Sequence, residues 1–483
     1  MFAIEINKEN YEYDIQALVK SFYPEEQIAV LLPESREDKR RELQDKVRVR
    51  LNVQEDGAEL TVDSGTYRWE KPGGADSKGS FKRFLYDVLQ KDTGKSLPWG
   101  NLTGIRPTKI AYSLLEEGKS RGDIVDYYRK EYYTSTEKAK LAVDIAERER
   151  RLLADVHYRD GYSLYIGIPF CPTTCLYCSF TSYPIGGWRE QVDTYVDCVV
   201  KEMEYAAEKY RQKILDSVYI GGGTPTTLEP GQLDRLLTRL RKLFDFRNVK
   251  EFTVEAGRAD SITEEKLQVL HRHGVTRISV NPQTMKQETL DIIGRRASVK
   301  QVEEAYALAR RVGFDNINMD LILGLPGELE EDVRHTIDSV VELAPDSLTV
   351  HSLAVKRASK LNRWIQENGV SMLHNTDETM RIAAEGAERL GLVPYYLYRQ
   401  KNMSGNFENV GYAREDRLSL YNILIMEEKQ TIVALGAGSI SKRVYPDGRI
   451  ERCENVKDVS QYIGRIDEMI RRKEAVLGDG LRL

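Results

Sequence analysis

From about residue 160 the chain settles into one rhythm, in which short apolar runs alternate with longer amphipathic stretches, and few architectures accept that order. The apolar runs predict strands at Ser163 to Ile168, Ser217 to Ile220, Phe252 to Glu255, Arg277 to Val280, Ile317 to Leu323 and Ser347 to His351. Between them, helical periodicity predicts helices at Glu190 to Tyr210, Leu233 to Leu243, Glu264 to His273, Val299 to Val312 and Glu330 to Leu343. Six βα units in succession imply an α/β fold with a parallel sheet, doubly wound or curled as a partial barrel. In either form ligands collect at the carboxyl ends of the strands.

The residues with chemistry to offer fall at those ends. Cys171, Cys175 and Cys178 follow the first strand within eight positions, and they are three of only five cysteines in 483 residues. Thiolates at spacings of four and three suit one soft metal centre. Three of them leave a four-iron cluster with one iron that protein does not ligate, and that iron is a place for chemistry. A structural zinc needs four closed ligands, and the nearest histidine, His157, precedes a strand leading away from the motif. A disulfide framework fits worse in a large chain whose amino terminus does not read as a signal sequence. Cys198 and Cys453 are expected to be buried or idle thiols.

Gly221-Gly222-Gly223-Thr224-Pro225 follows the second strand. Consecutive glycines let the backbone approach a ligand closely, and their N–H groups could hold a carboxylate; a plain tight turn is the alternative. The lysine of a phosphate loop is missing. Glu255 ends the third strand, Asn281-Pro282-Gln283 follows the fourth, Asp320 and the loop Gly324-Leu325-Pro326-Gly327 belong to the fifth, and His351 sits at the end of the sixth. Any one of them reads as a capping or solvating residue. Together on one face, Glu255, Gln283 and Asp320 read as hydrogen-bonding groups for a polar cofactor. His351 is either a satisfied core histidine or a functional one. Arg295 and Arg296 offer planar donors for a carboxylate, or belong to a solvated surface. Leu435-Gly436-Ala437-Gly438-Ser439-Ile440 lacks the third glycine of a dinucleotide fingerprint, so a turn near the core is expected.

The first 155 residues read differently. Strand-like runs at Phe2 to Ile6, Lys46 to Val53 and Ala58 to Val62 flank helix-like runs at Tyr11 to Phe22 and Phe81 to Gln90. Glu34 to Asp45 is a mixed-charge run expected to be a solvated helix or loop. Helical periodicity continues from Pro107 to Leu153, with Thr136 as a cap before Glu137. Three domains are expected: residues 1–155, 156–390 and 391–483. At 41% hydrophobic, 30% charged and net charge -5, the chain reads as an ordinary soluble protein, not a generic nucleic-acid binder or a membrane protein. The charged amino terminus and the absence of a long apolar run make it an expected cytoplasmic protein. Twenty-seven tyrosines against eleven phenylalanines is a skew, and tyrosine pairs a flat apolar face with a hydrogen-bonding tip.

With these residues in view, the chain resembles a known family. The CxxxCxxC set after Ile-Pro-Phe, then Gly-Gly-Gly-Thr-Pro, then Asp320-Leu-Ile-Leu-Gly-Leu-Pro, is similar to the radical S-adenosylmethionine (radical SAM) enzymes of the oxygen-independent coproporphyrinogen oxidase (HemN) group. The resemblance covers about residues 160 to 450. The amino-terminal domain with Leu102-Thr-Gly-Ile-Arg-Pro-Thr-Lys109 resembles the HemZ branch. The resemblance implies a partial (β/α)6 TIM-like barrel carrying a small α+β and helical amino-terminal domain and a carboxy-terminal α+β extension that covers substrate. It implies a [4Fe-4S] cluster on Cys171, Cys175 and Cys178, with S-adenosylmethionine held by Tyr165, Gly222, Gly223, Thr224, Glu255, Gln283, Arg295 and Asp320. It further implies decarboxylation of coproporphyrinogen III to protoporphyrinogen IX through a 5′-deoxyadenosyl radical, fed by a low-potential donor such as ferredoxin or flavodoxin. Arg296, Arg399 and Lys401 are then the expected cations for the substrate's carboxylates.

The chain departs from the HemN pattern at two positions near the cysteines. Phe180 stands where those enzymes carry a fourth cysteine, and Gly167 replaces the usual histidine before Ile-Pro-Phe. Related heme chaperones (HemW) also carry phenylalanine at the first position. Their His-Asn-x-x-Tyr-Trp heme motif corresponds here to Glu408-Asn409-Val410-Gly411-Tyr412-Ala413, without the histidine or the tryptophan. The rival readings are a heme chaperone and a radical SAM enzyme acting on another tetrapyrrole, such as a heme-opening methyltransferase.

Overall fold

The computed structural model describes residues 1–477 apart from 25, 74–76, 105, 356–359, 370–371 and 401–406. The chain forms two compact units, Met1–Glu147 with Leu397–Glu408, and Arg148–Tyr396 with Asn409–Leu483.

The first unit is built on strands β1 (Phe2–Ile6), β2 (Ile28–Leu31), β3 (Val47–Val53), β4 (Gly57–Val62) and β5 (Gly65–Glu70), in the order β2-β1-β3-β4-β5. β1 pairs in parallel with β2 and β3, whereas β3, β4 and β5 form an antiparallel meander. β3 shows why one face is covered: Val49, Leu51 and Val53 are buried while Arg48, Arg50 and Asn52 are exposed. Helices α1 (Glu12–Phe22) and α3 (Ser77–Thr93) supply Ile15, Leu18, Phe22, Phe81 and Leu85 to that core. The mixed-charge run becomes α2 (Glu37–Leu43), which buries Leu43 alone. Helices α4 (Thr108–Glu116), α5 (Arg121–Tyr132) and α6 (Thr136–Leu153) follow. The expected cap at Thr136 is corrected by one residue: Thr136 is helical, and the Ser135 hydroxyl accepts from the Lys138 N–H at 3.2 Å.

The second unit carries the six expected parallel strands: β6 (Gly161–Ile168), β9 (Ile214–Gly222), β10 (Glu251–Glu255), β11 (Arg277–Ser279), β12 (Ile317–Leu323) and β13 (Ser347–Ser352). The two-residue strands β7 (Phe170–Cys171) and β8 (Tyr183–Pro184) pair with each other outside this sheet. Helices α7 (Val192–Lys209), α8 (Pro230–Leu243), α9 (Glu264–Arg272), α10 (Gln287–Ile292), α11 (Val299–Val312) and α12 (Glu330–Leu343) link the parallel strands. β9 runs longer than expected because its polar residues are satisfied: Asp216 accepts from His157 and Gln430, and the Ser217 hydroxyl bonds that of Ser163.

After α13 (Lys360–Asn368) and α14 (Asp377–Arg389) come β14 (Val393–Tyr398), β15 (Asn409–Ala413), α15 (Leu420–Glu427), β16 (Thr431–Leu435), β17 (Ile440–Val444), β18 (Ile450–Glu454), α16 (Val459–Gly464) and α17 (Ile466–Leu477). The carboxy-terminal strands join the same sheet, whose order is β14-β15-β13-β12-β11-β10-β9-β6-β16-β17-β18. β15 adds antiparallel to β13, and β16 adds parallel to β6, so late sequence extends both edges of an open barrel. Residues 435–440 form a turn at the end of β16, as the missing third glycine implied.

On the outer side of the β6–β16 edge, Glu202 on α7 is fully buried. Its carboxylate accepts from the Gly436 N–H (2.7 Å), Tyr462 Oη (2.5 Å), Asn455 Nδ2 (3.0 Å) and Lys473 Nζ (2.7 Å). Lys473 is equally buried and also donates to Asn455 Oδ1. This charge pair ties α7, the 436 turn and α17 together with its hydrogen bonds filled.

Candidate cluster and cofactor site

β6 ends at Ile168 and the chain passes into β7, so the β7–β8 clip closes a loop that holds all three motif cysteines. Backbone bonds fix that loop: the Leu176 N–H donates to Ile293 O at 2.9 Å, and the Leu361 N–H donates to Leu176 O at 3.0 Å. All three cysteines are free thiols; Cys175 is buried, Cys171 and Cys178 half-buried. Burial pushes the Cys171 thiol up to about 11, opposed by the Thr224 hydroxyl, which donates to its sulfur at 3.5 Å. The Cys178 sulfur meets Ser182 Oγ at 3.5 Å. The Cys175 sulfur is faced by two guanidinium groups, Arg258 Nη1 at 3.4 Å and Arg295. Among the described residues no three His, Cys, Asp or Glu side chains converge tightly enough for a single metal ion. Three free thiols on one loop match the three-cysteine ligation of a cubane, in which each sulfur binds a different iron.

The glycine run lies against that loop. Gly222 has φ +106°, and a Cβ on Gly223 would lie 2.6 Å from Phe170 O and 2.8 Å from Ile168 O. The expectation that free N–H groups here cradle a carboxylate is corrected. The Gly223 and Thr224 N–H groups donate to Ile168 O and Phe170 O, both at 2.7 Å, and the Gly222 N–H donates to Glu255. What the glycines supply is close approach of strand end to cysteine loop.

Glu255 ends β10, and its Oε1 accepts the Tyr219 hydroxyl at 2.5 Å. Burial pushes its carboxyl up to about 7; the Tyr219 bond opposes this, and the Asp320 charge adds to it. Tyr219 belongs to a stack with Tyr165 and Tyr421, ring centroids 4.4 to 6.1 Å apart and nearly parallel, which fills the barrel beside Glu255. Gln283 has φ 71°, a left-handed backbone pinned by its N–H to Asp320 O (2.9 Å) and its carbonyl to the Ile322 N–H (3.0 Å). Its buried Oε1 has no hydrogen-bond partner. Asp320 Oδ1 accepts from Asn318 Nδ2 at 2.7 Å, and Oδ2 lies 4.0 Å from His351 Nε2. Burial lowers the His351 pKa, with Asp320 opposing.

Arg295 is buried and donates to Asn281 O and Tyr177 Oη, and its Nε has no partner. Arg296 is exposed. Arg399 lies in the first unit, buried, donating to Leu102 O and subject to the Glu408 charge. Lys401 falls outside the described residues. The sequence reading missed Arg258, Tyr219 and Asn318 as contributors to the site. Arg258, three residues past Glu255, was open to the same strand-end argument as its neighbours.

A model of the Radical SAM superfamily matches residues 165–340. HemZ of Bacillus subtilis, described as an oxygen-independent coproporphyrinogen-III oxidase-like protein, is 41% identical over 416 residues, 84% of this chain and 83% of its own. The heme chaperone HemW of the same organism is 32% identical over 309 residues, 63% of this chain and 76% of that one. Coproporphyrinogen III oxidase (HemN) from Escherichia coli shares the fold, at TM-score 0.52 and 23% identity over 66% of this chain and 72% of that one. The chain belongs to the radical SAM superfamily, whose members bind a [4Fe-4S] cluster and S-adenosylmethionine. Within that class it sits in the group that contains HemZ, HemN and HemW. No helix among the described residues is long and apolar enough to cross a membrane.

Proposed function

We propose that the chain is an enzyme that oxidatively decarboxylates two propionates of coproporphyrinogen III, giving protoporphyrinogen IX without oxygen. Cys171, Cys175 and Cys178 would hold the cluster, and the buried, unpartnered Nε of Arg295, whose side chain also faces Cys175, fits a carboxylate-bearing cofactor beside it. The bound cluster and S-adenosylmethionine supply one electron and a hydrogen-abstracting carbon centre. Each propionate then loses one hydrogen atom to that carbon centre, one electron to a separate one-electron acceptor of higher potential than the donor, and CO₂, leaving a vinyl group. Glu255, Gln283 and Asp320 present acceptors to the cofactor's amino and hydroxyl groups, and Arg295 keeps Nε available for its carboxylate. The Tyr165–Tyr219–Tyr421 stack excludes water beneath them and orients Glu255. Arg296 is proposed for the substrate carboxylates, and a ferredoxin or flavodoxin as the electron donor.

The observation that carries an enzyme over a heme carrier is at Glu408, where the chaperones have histidine. Its carboxylate is 1% exposed and accepts from Trp99 Nε1 at 2.7 Å and Lys138 Nζ at 2.6 Å, an arrangement with nothing left for heme iron. The chaperone reading draws support from Phe180, 77% exposed where HemN-type enzymes carry cysteine. Anaerobic reconstitution with S-adenosylmethionine, a reductant and coproporphyrinogen III separates the two. Formation of CO₂, protoporphyrinogen and deoxyadenosine is expected; stoichiometric heme binding without substrate-dependent deoxyadenosine would overturn the proposal.

A further inference from the structure

Arg258, in the turn after β10, carries a guanidinium only 4% exposed, and a buried charge needs partners on every edge. One edge is taken by Asp260 in a two-point pair, Nε to Oδ1 at 2.9 Å and Nη2 to Oδ2 at 2.7 Å. The other edge faces the cysteine loop. Nη1 donates to the Cys175 sulfur and to Thr173 O, each at 3.4 Å, and Nη2 donates to Thr173 Oγ1 at 3.1 Å. The Thr173 hydroxyl in turn donates to Gly294 O at 2.9 Å. Arg258 therefore links the third strand end to the cysteine loop and, through Thr173, to the turn after α10.

We infer that Arg258 sets the reduction potential of the cluster through its N–H···S bond to Cys175, and so acts as a positioning residue for the electron that starts the chemistry. The inference rests on the reading of Cys175 as a cluster ligand. Reduction adds one electron to the cluster and shares it with the ligating sulfurs, so a donor aimed at one sulfur bonds the reduced form more strongly than the oxidised form. Hydrogen bonds to cluster sulfurs thereby raise the potential. Asp260 cancels most of the guanidinium's long-range field, but the ion pair turns its positive edge toward the sulfur, and at that range the nearer charge dominates. No oxidant or reductant beyond the donor already proposed is needed.

The test uses the full chain, reconstituted anaerobically as wild type, Arg258→Lys, Arg258→Gln and Arg258→Met, matched for iron and sulfide, with midpoint potentials read by EPR-monitored titration. Arg258→Met is expected to hold about tenfold fewer reduced clusters at a fixed solution potential, a shift of about 59 mV to the negative. Arg258→Lys, which keeps a charged donor, should fall between Met and wild type. Equal potentials across the series at matched iron content overturn the inference. Should the Met variant take up no cluster, the Lys and Gln variants decide: potentials equal to wild type overturn it, and Gln more negative than Lys supports it. Loss of cluster from all three variants also overturns it, since Arg258 would then be a scaffold alone. A wild-type chain that takes up no cluster, or a Cys175→Ser variant that retains one, defeats the cysteine reading itself and is told apart by the iron count.

Discussion

The mouth of the barrel and the Glu202–Lys473 lock on its outer side are both buried and polar, yet their hydrogen bonding differs. Around Glu202 the carboxylate oxygens and the ammonium all find partners within the chain. Among the residues at or near the strand ends, Arg295 Nε, Ser279 Oγ and Gln283 Oε1 are buried without partners, Gln283 beside a small cavity lined by Glu328 and Thr336. A closed network specifies a structure, whereas an unmatched buried polar atom needs a further reason, and such atoms also occur away from the barrel's strand ends, at Glu149 and Tyr205. The contrast assigns the first set to the fold and leaves the second as the proposed cofactor contacts.

The largest effect should come from Cys175→Ser, which is expected to abolish cluster absorption and all deoxyadenosine formation while leaving the unfolding midpoint of the metal-free chain nearly unchanged. Retention of both signals would erase the distinction at its strongest point. Lys473→Met should do the reverse. It strands the Glu202 charge in the interior at a cost of about 3–5 kcal/mol, read as a lowered denaturant midpoint, without altering the three thiols. Gly223→Ala comes next, since its Cβ would press on two backbone carbonyls; a loss of about 1–3 kcal/mol is expected, with weaker cluster uptake measured by iron content.

A smaller effect concerns pH. Burial holds Glu255 protonated up to about 7, against an ordinary value of 4.5. In that window the unfolded chain releases a proton that the folded chain keeps, so stability is full below 4.5 and declines as pH rises toward 7. Glu255→Gln should flatten that decline in urea midpoints measured across the window, and an unchanged slope would show that Glu255 does not titrate there. Cys198→Ser and Cys453→Ser, both buried away from the motif, should leave the cluster spectrum as it is.

The sequence made the barrel legible because its helices begin and end in local chemistry. Val299–Val312 and Glu330–Leu343 match expectation, the first framed by a Ser298 capping box and by Gly313 at φ +114°. β9 was read short because Asp216 interrupts its apolar run at one end and Gly221 and Gly222 at the other, and only tertiary partners make Asp216 a buried strand residue. The cap at Thr136 was misread because Ser135 and Thr136 are adjacent and chemically alike, so only the bond to Lys138 decides. At the mouth, strand-end position singled out the cysteines, Glu255, Gln283 and Asp320. It gave no sign that the Gly223 N–H was already committed or that Arg258 turns toward Cys175, because those facts depend on how one loop folds over another.

The parallel pairing of β16 with β6 bears on the order of events at the ribosome. The strand leading into the cysteine loop gains its second neighbour only once residues 431–435 have emerged. Until then β6 is an exposed sheet edge beside three reactive thiols, in a chain extended at about 5–20 residues per second. The 436 turn that receives Glu202 is made just afterwards, and α17, which brings Lys473, later still. A nascent chain therefore carries its three-cysteine loop for many seconds before the wall beside it is complete.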